Sequence, residues 1–192
     1  MKIDYRIIAK IIEPYSKVLD LGCGDGELLA YLIKEKGIKA QGIEVSEEAI
    51  YKCVEKGVNV FHGDMESGLG WYSDKSFDYV IMNQSMQEMK NIDFVIKEAL
   101  RVGKKVIVGF PNFAYIKARL DIFFYGKAPL TESLPYTWYN TPNIHFFSIK
   151  DFEEYCKSKE IKVLQKSFIG KDREIKLLPN IFGVSAIFLI SQ

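Results

Sequence analysis

A run of apolar residues that breaks into three alternate glycines and then into an amphipathic helix constrains this chain more than anything else in it. Residues 17–37 read KVLDLGCGDGELLAYLIKEKG, with Gly22, Gly24 and Gly26 between the run and the helix. Glycine loses more backbone freedom on folding than any other residue. Three in five positions therefore imply backbone that must bend sharply or come close to something. A strand that turns into a helix N-terminus also leaves free N–H groups pointing outward, which suits a ligand.

The rest of the chain repeats the two textures on either side of that turn. Nearly continuous apolar runs at 17–21, 40–43, 58–62, 77–82 and 105–110 read as parallel strands covered on both faces. Helical spacing fills the gaps. Leu28, Leu29, Leu32 and Ile33 mark one helix, closed by Gly37. Ala49, Ile50, Cys53 and Val54 mark a second, with Ser46 as N-cap and Gly57 closing it. Phe94, Val95, Ala99 and Leu100 mark a third, started near Asn91 or Asp93, and an opening helix with Ile3, Ile7, Ile8, Ile11 and Ile12 on one face is stopped by Pro14. Beyond Phe110 the rhythm fails: residues 111–147 hold four prolines and many aromatics, with FAYIKARLDIFFYG as one helix ended by Gly126. Ser148 and Asp151 then form a capping-box signal, and strands at 161–168 and 184–190, with no helical crossover between them, are expected to pair antiparallel. The expectation is a doubly wound, Rossmann-like α/β sheet of seven strands, mostly parallel with an antiparallel last strand, in one domain over residues 1–192 with an aromatic-rich cover.

Bulk composition narrows the function. The 192 residues are 48% hydrophobic and 27% charged, with net charge +1, which gives no sign of a nucleic-acid partner. Cys23, Cys53 and Cys156 are odd in number and far apart, so they frame neither disulfides nor a metal site and suit a reducing cytosol. The start interleaves charges with its apolar residues, unlike a signal peptide, and no run reaches the roughly 18 apolar residues of a membrane span. A cytoplasmic protein is expected.

The glycine spacing then selects among ligands. A P-loop needs Gly-Lys-Ser/Thr at its end, whereas here Gly26 is followed by Glu27 and Leu28. A dinucleotide turn reads G-x-G-x-x-G; here it is G-x-G-x-G, framed by Asp20 and Asp25. Carboxylates at that place repel a pyrophosphate and favour a cation such as the ammonium and sulfonium of S-adenosylmethionine.

VLDLGCGDG resembles motif I of class I S-adenosylmethionine-dependent methyltransferases, and GIE, HGDME and SFDYVIMNQSMQEM follow in that family's order. The resemblance implies a class I methyltransferase fold and cofactor contacts from Asp20, Gly22, Cys23 and Gly24 at the methionine part. It further implies Glu44 and Val45 at the ribose, Asp64 and Met65 at the adenine, and Asn83 at the strand end beside the substrate. LRVGKKVIVGFPNF and LPYTWYNTPNIHFFSIKDFEEYC narrow the likeness to the methionine biosynthesis protein MetW family, over roughly residues 15–165. That implies a place in methionine biosynthesis and a link to homoserine O-acyltransferase, with either methyl transfer to an unidentified acceptor or cofactor-sensing regulation of that enzyme.

No motif supplies a general base. His145, in the insertion, is a weak catalytic candidate; His62 reads as packed or satisfied in its strand, and Cys23 as a small packing residue. Asp25 divides evenly between ligand contact and stabilising the helix start. Tyr136, Trp138 and Tyr139 form either the apolar underside of a lid or a cage for a cation or flat substrate, Gln84 and Gln87 join Asn83 as pocket candidates, and the helix carrying Lys117 and Arg119 reads as packed on the domain or on a partner.

Overall fold

A computed structural model describes residues 2–192. The apolar face of α1 (Ile3–Ile11) ends before Pro14, and β1 (Lys17–Leu21) leads through the glycine turn into α2 (Glu27–Lys36), which Gly37 closes in the left-handed conformation. There follow β2 (Lys39–Glu44), α3 (Glu47–Glu55), β3 (Val60–His62), β4 (Phe77–Asn83), α4 (Ile92–Val102) and β5 (Gly103–Pro111). The insertion holds α5 (Ile116–Tyr125). The chain then completes α6 (Ile149–Ser158), β6 (Lys162–Ile169), a four-residue helix α7 (Pro179–Phe182) and β7 (Ser185–Ser191).

The seven strands lie in the order β3-β2-β1-β4-β5-β7-β6. All neighbours are parallel except at β7, which runs antiparallel to both β5 and β6. The order reverses between β1 and β4, and in open α/β sheets such a switch point opens a crevice at the carboxyl ends of the strands.

Side-chain alternation assigns the two faces. Leu19, Val80, Met82, Val106, Val108, Phe110 and Phe188 point toward α4 and α6, while Val18, Tyr79, Ile81, Ile107, Ile187 and Leu189 point toward α1 and α2. Phe110, Phe152 and Phe188 meet with ring centroids 4.9–5.7 Å apart and fill the first of these layers.

Local chemistry explains the boundaries. Ser148 and Asp151 make both halves of the capping box at α6, and Ser46 and Asn91 cap α3 and α4. The third strand is shorter than its apolar run. The N–H groups of Gly57 and Val58 close the end of α3, donating to the carbonyls of Val54 and Cys53, so Val58 is buried as a helix cap and not as a strand residue. The helix α7 has no counterpart in the sequence pattern, because four residues carry no period.

The insertion is tied to the sheet at a narrow neck. Phe113 N–H donates to the Phe147 carbonyl at 3.1 Å, and Asn112, fully buried, donates to the Gly183 and Asn180 carbonyls while accepting from the N–H groups of Ala114 and Ile149. Replacing Asn112 with Ala leaves those buried groups unpaired. The expected outcome is a loss of about 2–3 kcal/mol of stability in urea unfolding, and an unchanged midpoint would show that the neck is not held by this side chain.

Candidate functional site

The glycine turn sits at the switch point because β1 stops there and two N–H groups, those of Gly22 and Cys23, donate to the Ile43 carbonyl of β2. Gly22 and Gly24 have φ of +75° and +54°, where a side chain is strained. A Cβ on Gly22 would press on Met65 Cε and Ser85 Cβ at 3.0 Å, so the end of β3 closes over the turn. A Cβ on Gly24 would meet nothing within 4 Å. Gly24 therefore presents bare backbone to open space.

Glu44, at the end of β2, folds back onto the turn. Its Oε2 accepts from Gly24 N–H, and its Oε1 from the N–H groups of Val45 and Ser46, each at 2.9 Å. Beneath it Asp20 is buried at 3% exposure. Burial, and then the charge of Glu44, push the Asp20 carboxyl up to about 7. Asp64 is exposed, with its Oδ1 accepting from Glu66 N–H at 2.8 Å, and Val45 lies exposed at the end of β2. Glu44, Val45, Asp64 and Met65 thus form one margin of the turn, on adjoining strand ends.

The other margin is a cavity of about 610 Å³, lined by Gly22, Cys23, Gly24, Asp25 and Asn83 of the sequence candidates, together with Gln84 and Gln87. Asn83 donates its Nδ2 to Asp4 Oδ2 at 3.0 Å, which leaves its Oδ1 buried and unpartnered; Gln87 donates to the Gln84 carbonyl and likewise keeps a buried, unpartnered Oε1. Gly109 in β5 makes room for the Asn83 amide, since a Cβ there would collide with Asn83 Oδ1.

Asp4 and Glu88 also line this cavity and were missed by motif reading. Asp4 belongs to the opening helix, whose pattern signalled only packing. Glu88 stands at the rim, where partial desolvation, then the charge of Glu44, raise its carboxyl above the usual range. Its only signal in sequence was its place within SFDYVIMNQSMQEM.

Other candidates take different places. His145 lines a separate cavity of about 220 Å³ against Met86, Phe147 and Tyr155; its N–H donates to the Gln87 carbonyl and its Nε2 is buried without a partner. His62 is exposed, its Nε2 3.2 Å from the Val45 carbonyl, so it does not pack into the sheet. Cys23 Sγ lies 3.9 Å from Cys53 Sγ, and burial pushes the Cys23 thiol far up, as befits a packing residue. Asp25 pairs with Lys56 at 2.6 Å, which lowers its carboxyl, and its Oδ1 accepts from Glu27 N–H at the start of α2. Trp138 and Tyr139 are 77% and 73% exposed, and Tyr136 and Trp138 line an apolar hollow of the insertion. The helix α5 buries Ala118 and leaves Leu120, Ile122, Phe123, Phe124 and Tyr125 exposed. Among the described residues no cluster of His, Cys, Asp or Glu could hold a metal, and no helix is long and apolar enough to cross a membrane.

A family model described as methionine biosynthesis protein MetW matches residues 2–190. The chain belongs to the MetW family. A bifunctional methionine biosynthesis protein MetXA/MetW of Rhodopirellula baltica is 32% identical over 189 residues; the match covers 94% of this chain and 30% of that relative, so the chain spans about a third of its length. A demethylmenaquinone methyltransferase of Bacillus mycoides is 26% identical, over 93% of this chain and 78% of the other. Among solved structures, S-adenosylmethionine-dependent methyltransferases of Archaeoglobus fulgidus (TM-score 0.71, 16% identity, 98% of this chain and 91% of the other) and Thermotoga maritima (TM-score 0.69, 20% identity, 97% and 86%) share the fold.

The buried acid makes this MetW protein's stability depend on pH. The folded value of Asp20, about 7, stands above the unfolded value near 4. Its contribution is therefore most favourable below about pH 4 and declines as pH rises toward about 7. Asp20→Asn removes that decline. Urea unfolding should show little difference from wild type near pH 4 and a gain of up to roughly 4 kcal/mol near pH 7; a variant that keeps the wild-type slope would assign the titration elsewhere.

Proposed function

We propose that this MetW protein binds S-adenosylmethionine over the glycine turn and transfers its methyl group to an acceptor under the 111–147 cover. The observation that carries the reading is Asp20, a buried carboxylate raised by both its surroundings and its acidic neighbour. Asp4 and Glu88, which line the adjoining cavity, add to the same side. A site of that charge is relieved by a cation and opposes a pyrophosphate.

The reading assigns residues to each part of the cofactor. Asp20 and the bare backbone of Gly22, Cys23 and Gly24 would hold the methionine portion, Glu44 and Val45 the ribose, Asp64 and Met65 the adenine, with Asn83 at the reacting end. A carboxylate has about four acceptor positions, and backbone N–H groups already take three on Glu44. A grip on two adjacent hydroxyls therefore needs Gly24 N–H to release Oε2.

When bound, the cofactor would supply an electrophilic methyl on a sulfonium sulfur, which would keep the carbon–sulfur electron pair as the methyl passed to the acceptor's lone pair. Positioning then provides most of the rate. Asn83 Oδ1 and Gln87 Oε1, both buried and unpartnered, would orient a donor-bearing acceptor once their amides turn toward it. Glu88, which lines the cavity as His145 does not, would take any proton the acceptor sheds.

One finding favours a second reading, in which the chain senses the cofactor and regulates a homoserine O-acyltransferase. The Rhodopirellula baltica relative joins MetXA and MetW in one polypeptide, and such a joining keeps two cooperating units together. A change in the acyltransferase rate on adding this chain supports it, and no association at micromolar concentration counts against it. The cytoplasm is the compartment that suits either reading.

Calorimetric titration tests the common element. S-adenosylmethionine and S-adenosylhomocysteine should bind and NADH should not, with Glu44→Ala weakening both by about tenfold or more. Because the incoming cation lowers the proton affinity of Asp20, binding near pH 7 should release protons, seen as heats that vary with buffer in the wild type and not in Asp20→Asn. No heat from either adenosyl ligand would sink the cofactor reading.

A further inference from the structure

Beyond the glycine-turn cavity the insertion folds around a second one, of about 540 Å³, lined chiefly by Phe113, Ile122, Pro129, Leu134, Trp138 and Phe146. Its frame is built from backbone. Thr131 and Leu134 exchange N–H to carbonyl bonds in both directions at 3.1 Å, Gly126 caps α5 with φ +58°, and the Phe113 and Phe146 rings meet at 5.1 Å above the neck. An apolar, preformed hollow of this size is what a small molecule requires.

Two further features say what would occupy it. Tyr136 and Asn143 line both cavities, so the hollow adjoins the place where the acceptor would react. The charges of the two differ. Lys127 is the charged side chain in the second lining, and among the described residues it makes no ion pair. In the first cavity Asp25 pairs with Lys56, Glu132 with Lys171 at 3.3 Å and Lys2 with Glu27 at 3.1 Å, which leaves Asp4 and Glu88 as its unpaired charges among the described residues. An anionic group is repelled from the first cavity and attracted to the second.

We propose that the second cavity holds the non-reacting part of the methyl acceptor, and that the acceptor is an amphiphilic anion. Its apolar aromatic or branched body fills the hollow, its acid group faces Lys127, and its nucleophilic end reaches past Tyr136 and Asn143 toward the glycine turn. The proposal rests on the cofactor reading for its link to methyl transfer, but binding to the hollow is measurable without it.

The test is a fluorescence titration of the full chain with anilinonaphthalene sulfonate, an aromatic body carrying one anionic group. One site per chain is expected. Ala128→Trp, which fills the hollow, should abolish it, and Lys127→Glu, at an exposed position where folding is not at stake, should weaken it by about tenfold. Phe123→Ser and Phe124→Ser, on the exposed face of α5 outside the lining, should leave it unchanged. Several sites per chain, binding that follows Phe123 and Phe124, or affinity indifferent to Lys127→Glu would overturn the proposal and make the patch a protein-docking surface or a nonspecific one. Calorimetry with S-adenosylmethionine on the same preparations separates the two readings: absent heat in the wild type defeats the cofactor site, whereas normal heat with no probe binding defeats only the hollow.

Discussion

The carboxylate of Glu44, held by the N–H groups of Gly24, Val45 and Ser46, joins the ends of the first two strands and shapes the space above them. The bond from Gly24 sets the turn with its open face outward. It also keeps a negative charge close to Asp20, whose carboxyl is raised first by its burial and then by that charge. Two acids crowded in a poorly solvated place lower the stability of the empty protein, and folds keep such arrangements where a ligand relieves them.

The sheet makes room for this site by omission. Gly109 in β5 lacks the Cβ that would strike the Asn83 amide, and Gly42 in β2 does the same for Cys23. The cover is attached at several places. The buried Asn112 amide and the bond from Phe113 to Phe147 hold its neck, the N–H groups of Ile144 and His145 donate to the Gln87 carbonyl, and Glu132 pairs with Lys171. Its apolar hollow lies next to the acidic cavity, and Tyr136 and Asn143 line both.

Much of this was legible in the residues themselves. The strand runs, the caps at Ser46, Asn91 and Ser148, the closing glycines and the antiparallel final pair follow from short-range rules that act within a few residues. The candidates at strand ends, Asp20, Glu44, Asp64 and Asn83, were visible because an α/β sheet gathers its strand ends at one edge. Asp4 was not, because its helix reads as a packing element and reaches Asn83 only across 79 positions of chain. The place of His145 was not legible for a related reason. The segment around it carries no periodic trace of its path, and the chain brings that residue to a different cavity from the glycine turn.

Sequence alone determined the order of strands and of every helix but α7, the sharp turn at Gly22 to Gly26 and the sign of charge around it, since each depends on local dihedral preference, hydrophobic period or residue type. Tertiary structure alone decided which carboxylates stand together, that Glu88 and Asp4 share a cavity with the glycine turn, and that the insertion forms a second, open apolar hollow with Lys127 at its wall. The reason is physical. Burial, proximity of like charges and the volume of a cavity depend on pairs of residues tens of positions apart, and no pattern along the chain encodes their distance.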